Sequence, residues 1–89
     1  MVETTIIIKN RLGLHARAAV KFVNTANRFS ADVKIEKDGS EIDGKSILGI
    51  LTLAATQGTE IVLRVDGADE ESALKALVTL INTKFDEKE

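Results

Sequence analysis

Hydrophobic and polar positions alternate along the chain in short blocks, and the period of each block predicts the element that it forms. Residues 4–9 are rich in β-branched side chains and predict a strand. A loop over residues 10–14 follows, in which Gly13 can adopt a backbone conformation closed to other residues. From Ala16 the period changes to that of an amphipathic helix of about three turns. The apolar positions of this helix are Ala16, Ala19, Val20, Val23 and Ala26.

The middle of the chain predicts a β-hairpin and a further strand. Residues 31–36 alternate between apolar and charged side chains, as in a strand with one buried face. The Asp38-Gly39 dipeptide that follows is typical of a two-residue turn, so residues 40–43 are expected to return as the third strand. Residues 61–65 are rich in isoleucine, valine and leucine and predict a fourth strand.

A second helix is expected to begin near Ser46, to run to about Thr56 and to end at Gly58. Its apolar surface is wider than the stripe of a half-buried helix. Some of its apolar side chains are therefore expected to stay exposed as a partner surface, although a small domain could also bury all of them. The residues expected in the partner surface are Ile47, Leu48 and Leu51.

The last helix is expected to follow Asp69 as its N-cap, with Glu70 and Glu71 near the positive end of the helix dipole. Its apolar stripe comprises Ala73, Leu74, Leu77, Leu80, Ile81 and Phe85. The acidic residues 86–89 are expected to form a solvated end. The element order is then β-α-β-β-α-β-α, and helices that cover one apolar face of the sheet give a two-layer α+β fold. The pattern leaves the order of strands in the sheet open.

The composition narrows the classes of function. The 89 residues predict one small domain, residues 1–89. A net charge of −2 and an aromatic content of 3% argue against nucleic acid as a partner. The sequence has no cysteine and one histidine, so no metal site is expected. No signal-peptide pattern is present and no apolar run approaches the roughly 20 residues of a membrane helix, so a cytoplasmic protein without membrane contact is expected.

The single histidine, His15, lies where the glycine-containing loop gives way to the first helix. A helix start presents unpaired backbone N–H groups and a partial positive charge, which together suit an anion. Arg17 adds a permanent cation whose forked donors suit phosphate. Because imidazole has a neutral, nucleophilic nitrogen near neutral pH, these residues predict a histidine that accepts a phosphoryl group. The alternative is a capping or loop histidine with no chemical role.

Two segments resemble motifs of the HPr family, the histidine-containing phosphocarrier proteins of the bacterial phosphotransferase system. The first, similar to the active-site motif of that family, is Leu12-Gly13-Leu14-His15-Ala16-Arg17. The second, similar to its regulatory-serine region, is Gly44-Lys45-Ser46-Ile47-Leu48-Gly49-Ile50-Leu51. The resemblance covers nearly the whole chain and includes its length.

The resemblance implies an open-faced β-sandwich, with a four-stranded antiparallel sheet in the order 1-4-2-3 and three helices on one face. It implies that an upstream protein of the enzyme I type, phosphorylated by phosphoenolpyruvate, phosphorylates His15 on Nδ1, with the backbone N–H groups of Ala16 and Arg17 near the phosphoryl oxygens. His15 then passes the group to sugar-specific acceptors of the enzyme IIA type in sugar uptake. Such a carrier is not a free-standing enzyme, and no bound cofactor is expected. An independent hydrolase is disfavoured, because the sequence offers His15 no obvious acid partner.

Ser46 is first of all a good N-cap for the second helix. The resemblance adds that a serine kinase, with a phosphorylase, could regulate the protein there, since about two added negative charges would repel an anionic phospho-donor. Ala18 stands where many family members have proline, and Ala54 stands where many have glycine. The alternative function is therefore a regulatory HPr-like module that acts through protein contacts, either of the nitrogen-related branch or as a catabolite-repression effector.

Overall fold

The computed structural model describes residues 1–88, which form a four-stranded sheet covered by helices. The strands are β1 (Val2–Ile7), β2 (Asp32–Lys37), β3 (Ser40–Asp43) and β4 (Glu60–Asp66). The α-helices are α1 (Ala16–Ala26), α2 (Ile47–Leu53) and α3 (Glu70–Asn82), and a short turn, Lys84–Asp86, follows α3. This is the predicted order of elements. None of the helices in residues 1–88 is long and apolar enough to cross a membrane.

All strand pairs are antiparallel, and the order across the sheet is β1-β4-β2-β3. The order implied by the HPr resemblance is therefore confirmed. Alternation along the central strand β4 turns Ile61, Leu63 and Val65 toward the helices, and each is at most 1% exposed. The residues between them point to the opposite side, so the sheet has one face under the helices and one open face.

The open face of the sheet carries a charged network centred on Arg64 of β4. Its guanidinium donates to Glu3 of β1 at 2.8 Å, to Glu36 of β2 at 2.5 Å and to Glu41 of β3 at 2.9 Å. The hydrogen bond to Glu36 contributes most to raising the pKa of Arg64. One guanidinium thus links all four strands, and three carboxylates around it leave this face with an excess of negative charge.

The turn between β2 and β3 has the predicted form. Asp38 and Gly39 have φ values of 51° and 84°, both in the left-handed region that a type I′ turn requires. The register that results pairs Ile35 with Ile42, so both hairpin strands turn an apolar residue to the same face.

The buried face of α1 is rotated from the predicted one. Its buried residues are Ala18, Ala19, Phe22, Val23 and Ala26. Ala16 and Val20, two positions of the predicted apolar face, are exposed, so the predicted face is wrong at these two residues. Phe22 is completely buried. Because an aromatic ring removes more apolar area from water than a valine does, the helix turns Phe22 inward and leaves Val20 at the surface.

α2 is shorter than predicted. It ends where Ala54 adopts a left-handed conformation, with a φ of 53°. The chain then turns back along the first strand and its loop: the N–H of Leu14 donates to the carbonyl oxygen of Ala55, and the N–H of Gly58 donates to that of Ile8. The predicted helix end at Gly58 is therefore wrong, because the chain has already left the helix to make these contacts.

Asp69 occupies the N-cap position of α3, yet within residues 1–88 its carboxylate forms no cap bond. It accepts instead from the backbone N–H groups of Ser30 and Ala31, each at 2.9 Å. The hydrogen bond from Ser30 is the largest influence and lowers the pKa of Asp69. Instead of the expected side-chain cap, Asp69 forms hydrogen bonds that join α3 to the segment before β2. Glu70 and Glu71 lie in the first turn of α3, as predicted.

Candidate active site

Gly13 shapes the loop before α1. Its φ is 67°, and a Cβ at this position would lie 2.5 Å from the carbonyl oxygen of Ala55. A side chain is excluded there by both the backbone conformation and the space. The close approach lets the N–H of Leu14 donate to the same carbonyl oxygen at 2.9 Å. Gly13 therefore packs the loop against the chain that follows α2 and sets His15 at the start of α1.

His15 is the N-cap residue of α1 by position. Its backbone is extended, with φ −75° and ψ 177°, and its carbonyl oxygen accepts the first helical hydrogen bond from Ala19 at 2.8 Å. In the described part of the chain, its imidazole makes no capping hydrogen bond and the first turn of α1 has no acidic residue. The N–H groups of Ala16, Arg17 and Ala18 consequently have no acceptor inside the helix. This helix start has the positive potential and the donors that suit a phosphoryl group.

A carboxylate from the far end of the chain holds the imidazole of His15. Nε2 of His15 lies 2.5 Å from Oε2 of Glu87, which is 72 residues later in the sequence. Oε1 of Glu87 accepts from Nδ2 of Asn10 at 3.1 Å. Asn10 is completely buried and also donates to the carbonyl oxygen of Gly13 at 2.7 Å. The histidine thus has an acid partner, which was not expected from the sequence.

The pair is partly enclosed at the protein surface. The side chain of His15 is 25% exposed and that of Glu87 is 13% exposed. Desolvation is the largest influence on the pKa of Glu87 and acts to raise it, but hydrogen bonds from His15 and Asn10 and the charges of His15 and Lys21 outweigh it and lower the pKa. Glu87 is therefore a carboxylate at neutral pH. It engages Nε2, so Nδ1 is the ring atom left for chemistry.

The C-terminal segment reaches His15 through a left-handed turn. Lys84, Phe85 and Asp86 have φ values of 58°, 56° and 61°, a conformation that costs a residue with a side chain about 1 kcal/mol or more. Phe85 is completely buried, and Nζ of Lys21 donates to its carbonyl oxygen at 2.6 Å. The predicted solvated end is therefore wrong for Glu87. Phe85 was the signal in the sequence, because so large an apolar side chain beside the acidic residues needs a core to cover it.

An open groove of about 320 Å³ adjoins the pair. It is lined by Arg11, Leu12, Arg17, Lys21, Asp86, Glu87 and Lys88. Four of these seven residues are cationic and two are acidic, although the whole chain has a net charge of −2. Arg17, which was expected beside His15, is among the residues that line this groove. The other cations come from the loop, from α1 and from the C-terminal segment, and no local pattern in the sequence places them beside His15.

Ser46 is the N-cap of α2. Its Oγ accepts from the N–H of Gly49 at 3.0 Å, as expected of a capping serine. The chain just beyond the other end of α2 contacts the loop that carries His15, through Leu14 and Ala55. Ser46 therefore lies at the opposite end of α2, a helix about 10 Å long, from the segment that contacts the loop of His15.

Apolar side chains of α2 and of the His15 region are exposed, as expected for α2 from its wide apolar surface. The exposed fractions are 40% for Ile47, 72% for Leu48, 38% for Leu51, 63% for Leu12 and 40% for Val20. The last two flank His15 in the sequence, and α1 packs against α2. The exposure of the α2 residues is therefore as expected, and their use as a partner surface stays a prediction.

Comparison with known proteins decides the family. The family model described as "PTS HPr component phosphorylation site" matches residues 2–83. The chain belongs to the HPr family. It is 51% identical to the phosphocarrier protein HPr of Neisseria meningitidis over 89 residues, which is 100% of both chains. It is 43% identical to the HPr-like protein Crh of Bacillus subtilis over 91% of this chain and 95% of that protein.

Comparison with a solved structure shows that the chain has the HPr fold. The crystal structure of HPr-C-His from Thermoanaerobacter tengcongensis superposes with a TM-score of 0.97 at 50% sequence identity, covering 100% of both chains. The resemblance based on the two HPr motifs is thereby confirmed. The phosphocarrier function in the phosphotransferase system, expected from that resemblance, is confirmed at the level of the HPr family.

Proposed function

We propose that His15 is the residue of this HPr protein that accepts the phosphoryl group. It takes the group from an upstream phosphotransferase of the enzyme I type and passes it to sugar-specific acceptors of the enzyme IIA type, in the cytoplasm. The observation that carries this proposal is the start of α1, which has no side-chain cap within residues 1–88 and where His15 and Arg17 lie beside a cationic groove. A helix start with open N–H groups is a site for a phosphoryl group rather than for a neutral substrate.

The reacting atom in this proposal is Nδ1 of His15, since Nε2 faces Glu87. A bond forms between Nδ1 and phosphorus while the bond to the donor breaks, and the donor leaves with the electron pair. The transition state is loose, with negative charge spread over the equatorial oxygens. The N–H groups of Ala16 and Arg17 and the guanidinium of Arg17 supply donors to those oxygens. Because a relay must also release the group, the shallow site stabilises phosphohistidine only moderately.

Partner proteins must bring their reacting groups to His15, so the surface beside it determines docking. We assign docking to the exposed apolar residues Ile47, Leu48 and Leu51 of α2, together with Leu12 and Val20. The donor and the acceptor need the same histidine, and therefore they use this surface in turn. Such a shared surface suits complexes that form and separate quickly.

Ser46 is the regulatory position in this proposal. Phosphorylation by a serine kinase would add about two negative charges at the start of α2, where the helix dipole tolerates them, so the fold would persist. Ser46 directly precedes Ile47 of the docking surface. The phosphate would therefore repel an anionic partner as it docks, and a phosphorylase would restore activity.

A regulatory HPr-like module is the second candidate, because the relatives of the chain include Crh proteins at 43% identity. Such a module would act through protein contacts alone. The candidates differ in one property: a carrier hands its phosphoryl group to an acceptor protein, whereas a regulatory module does not.

The test is labelling with radioactive phosphoenolpyruvate and the upstream enzyme, followed by addition of an acceptor protein. The native protein should gain one acid-labile phosphate and lose it to the acceptor, and His15→Ala should gain none. Asn24→Ala, at an exposed position on the same helix, is the matched control and should label normally. Acid-labile phosphate on His15→Ala would end the proposal, and labelling without transfer would favour the regulatory module.

A further inference from the structure

Glu87 lies in a segment outside the motifs that identify the site, and the proposed function uses it only to tell which ring nitrogen of His15 reacts. Its carboxylate bridges two groups: Oε2 meets Nε2 of His15 at 2.5 Å and Oε1 meets Nδ2 of Asn10 at 3.1 Å. Both partners are fixed by the loop, since Asn10 is buried and also bonded to Gly13. The carboxylate is therefore held on the far side of the imidazole from Nδ1.

We propose that Glu87 is a positioning residue for phosphoryl transfer: its carboxylate keeps the proton of neutral His15 on Nε2 and fixes the ring so that Nδ1 presents its lone pair. The proposal rests on the proposed role of His15 as acceptor. A neutral imidazole carries its proton on one nitrogen only, and the hydrogen bond made by one nitrogen decides the state of the other. A carboxylate only accepts hydrogen bonds, so Nε2 must be the donor.

The transfer step balances without a proton acceptor in solution. Nδ1 supplies an electron pair to phosphorus, the donor leaves with the pair of the broken bond, and the proton on Nε2 stays in place. The ring gains positive charge as the new bond forms, and the carboxylate of Glu87 lies next to that charge. On return of the phosphoryl group to an acceptor, the same proton remains, so the ring is ready for the next cycle.

The segment before Glu87 is built to deliver this carboxylate. Three successive residues take the unfavourable left-handed conformation, Lys84–Asp86. The buried ring of Phe85 anchors the turn, and Lys21 of α1 donates to its carbonyl oxygen at 2.6 Å. These two contacts fasten the segment to the core and to α1 at points other than the carboxylate of Glu87. The strained turn places the carboxylate of Glu87 against Nε2 of His15.

The first measurement uses 15N-labelled protein and records the imidazole nitrogens of His15 over a pH series, at the alkaline limit where the ring spectrum no longer changes with pH. Native protein should show the form protonated on Nε2, Glu87→Ala should shift toward a mixture of both forms, and Glu87→Asp should restore part of the preference. Asp86→Asn, which removes a charge from the same groove, should leave the ring spectrum native. A native ring spectrum in Glu87→Ala would overturn the proposal.

The second measurement is the rate of phosphoryl transfer from the upstream enzyme. Glu87→Ala should slow the transfer step about 10- to 100-fold, the size of effect seen when a carboxylate that orients a metal-bound histidine is lost, with little change in the KM for the donor. Glu87→Asp should recover part of the loss. An unchanged rate, or a loss confined to KM, would contradict the positioning role. The ring spectrum needs no donor, so failure of His15 to accept phosphate would be seen separately in the native protein.

Discussion

The starts of α1 and α2 present the same groups to their surroundings, because the first backbone N–H groups of any helix lack partners inside it. At α2 the hydroxyl of Ser46 accepts from the N–H of Gly49 at 3.0 Å. At α1, within residues 1–88, the side chain of His15 makes no such bond and is held away by Glu87. The start of α2 is closed by its own chain, whereas the start of α1 keeps its donors available.

The two helix starts differ in what they contribute: the capped start of α2 adds stability, whereas the open start of α1 offers donors to a ligand. A side-chain cap stabilises a helix by about 1 kcal/mol, and α1 lacks this contribution. Five of the eleven residues of α1 are buried, so packing holds the helix in its place. The short helix α2 buries two of its seven residues and has more need of its cap. We infer that the open start of α1 is tolerated because its buried face is large.

The largest effect on the rate of phosphoryl transfer is expected from the removal of Arg17 at the start of α1. Arg17→Gln takes a cation from the open helix start and should slow phosphoryl transfer about 100-fold, the typical loss when one transition-state donor is removed. The side chain is exposed, so the fold should be unaffected. Rapid-quench measurement of transfer from the phosphorylated upstream enzyme gives the rate.

Arg28→Gln is the control for Arg17→Gln. Arg28 is also exposed and follows the other end of α1, where its guanidinium lies 5.7 Å from the ring centre of Phe29. It should leave the rate near that of the native protein. An equal loss in both variants would mean that overall charge, and not the start of α1, determines the rate.

Substitutions of Ser46 should have an intermediate effect and separate capping from charge. Ser46→Ala should lower the free energy of unfolding by about 1 kcal/mol, because the N–H of Gly49 loses its acceptor. Ser46→Asp keeps a capping oxygen and should retain most of the stability, while its charge slows transfer about tenfold at low salt and less at high salt. Chemical denaturation and the transfer rate at two salt concentrations measure these effects. A rate for Ser46→Asp that is native at low salt would exclude the electrostatic account.

The smallest expected effect is on the pH dependence of the free energy of unfolding. It is expected from Glu87 at the start of α1 and not from Ser46 at the start of α2. The folded protein lowers the pKa of Glu87, so its stabilising contribution is present above the ordinary glutamate pKa and is lost as pH falls through the lower folded value. The charged groups facing this carboxylate are His15 and Lys21, with Arg11, Arg17 and Lys88 in the adjoining groove. The difference in unfolding free energy between native protein and Glu87→Gln should shrink between about pH 5 and about pH 3.

Ser46→Ala provides the comparison for the pH experiment, because a hydroxyl does not titrate in this range. Its destabilisation should stay constant over the same interval. A constant difference for Glu87→Gln as well would show that the carboxylate makes no net contribution through its charge.

The sequence predicted the elements well, and it predicted that His15 lies at the start of α1, because both depend on local patterns. The Asp38-Gly39 turn needs only two residues in the left-handed region, and both adopt it. The motif around His15 and Arg17 is contiguous in the sequence. The sheet order came from the family resemblance, since pairing between distant strands leaves no mark in local periodicity.

Predictions failed where contacts between residues that are distant in the sequence determine the structure. Val20 and Phe22 both fit an amphipathic helix, and only the sheet beneath decides which is buried. Ala54 ends α2 early, although alanine favours helices, because the following chain bonds to the loop of His15. Glu87 pairs with His15 across 72 residues, a separation at which charge patterns in the sequence carry no information on contact.

The open face of the sheet and the groove beside His15 carry opposite charges. Three carboxylates surround the one guanidinium of Arg64 on the sheet, whereas cations predominate in the groove. Because charges of opposite sign predominate in different places, the molecule has an electric dipole moment in addition to its net charge of −2. In the field of an anionic partner this dipole exerts a torque that turns the groove forward during diffusion, so that encounters begin in the productive orientation more often than chance allows.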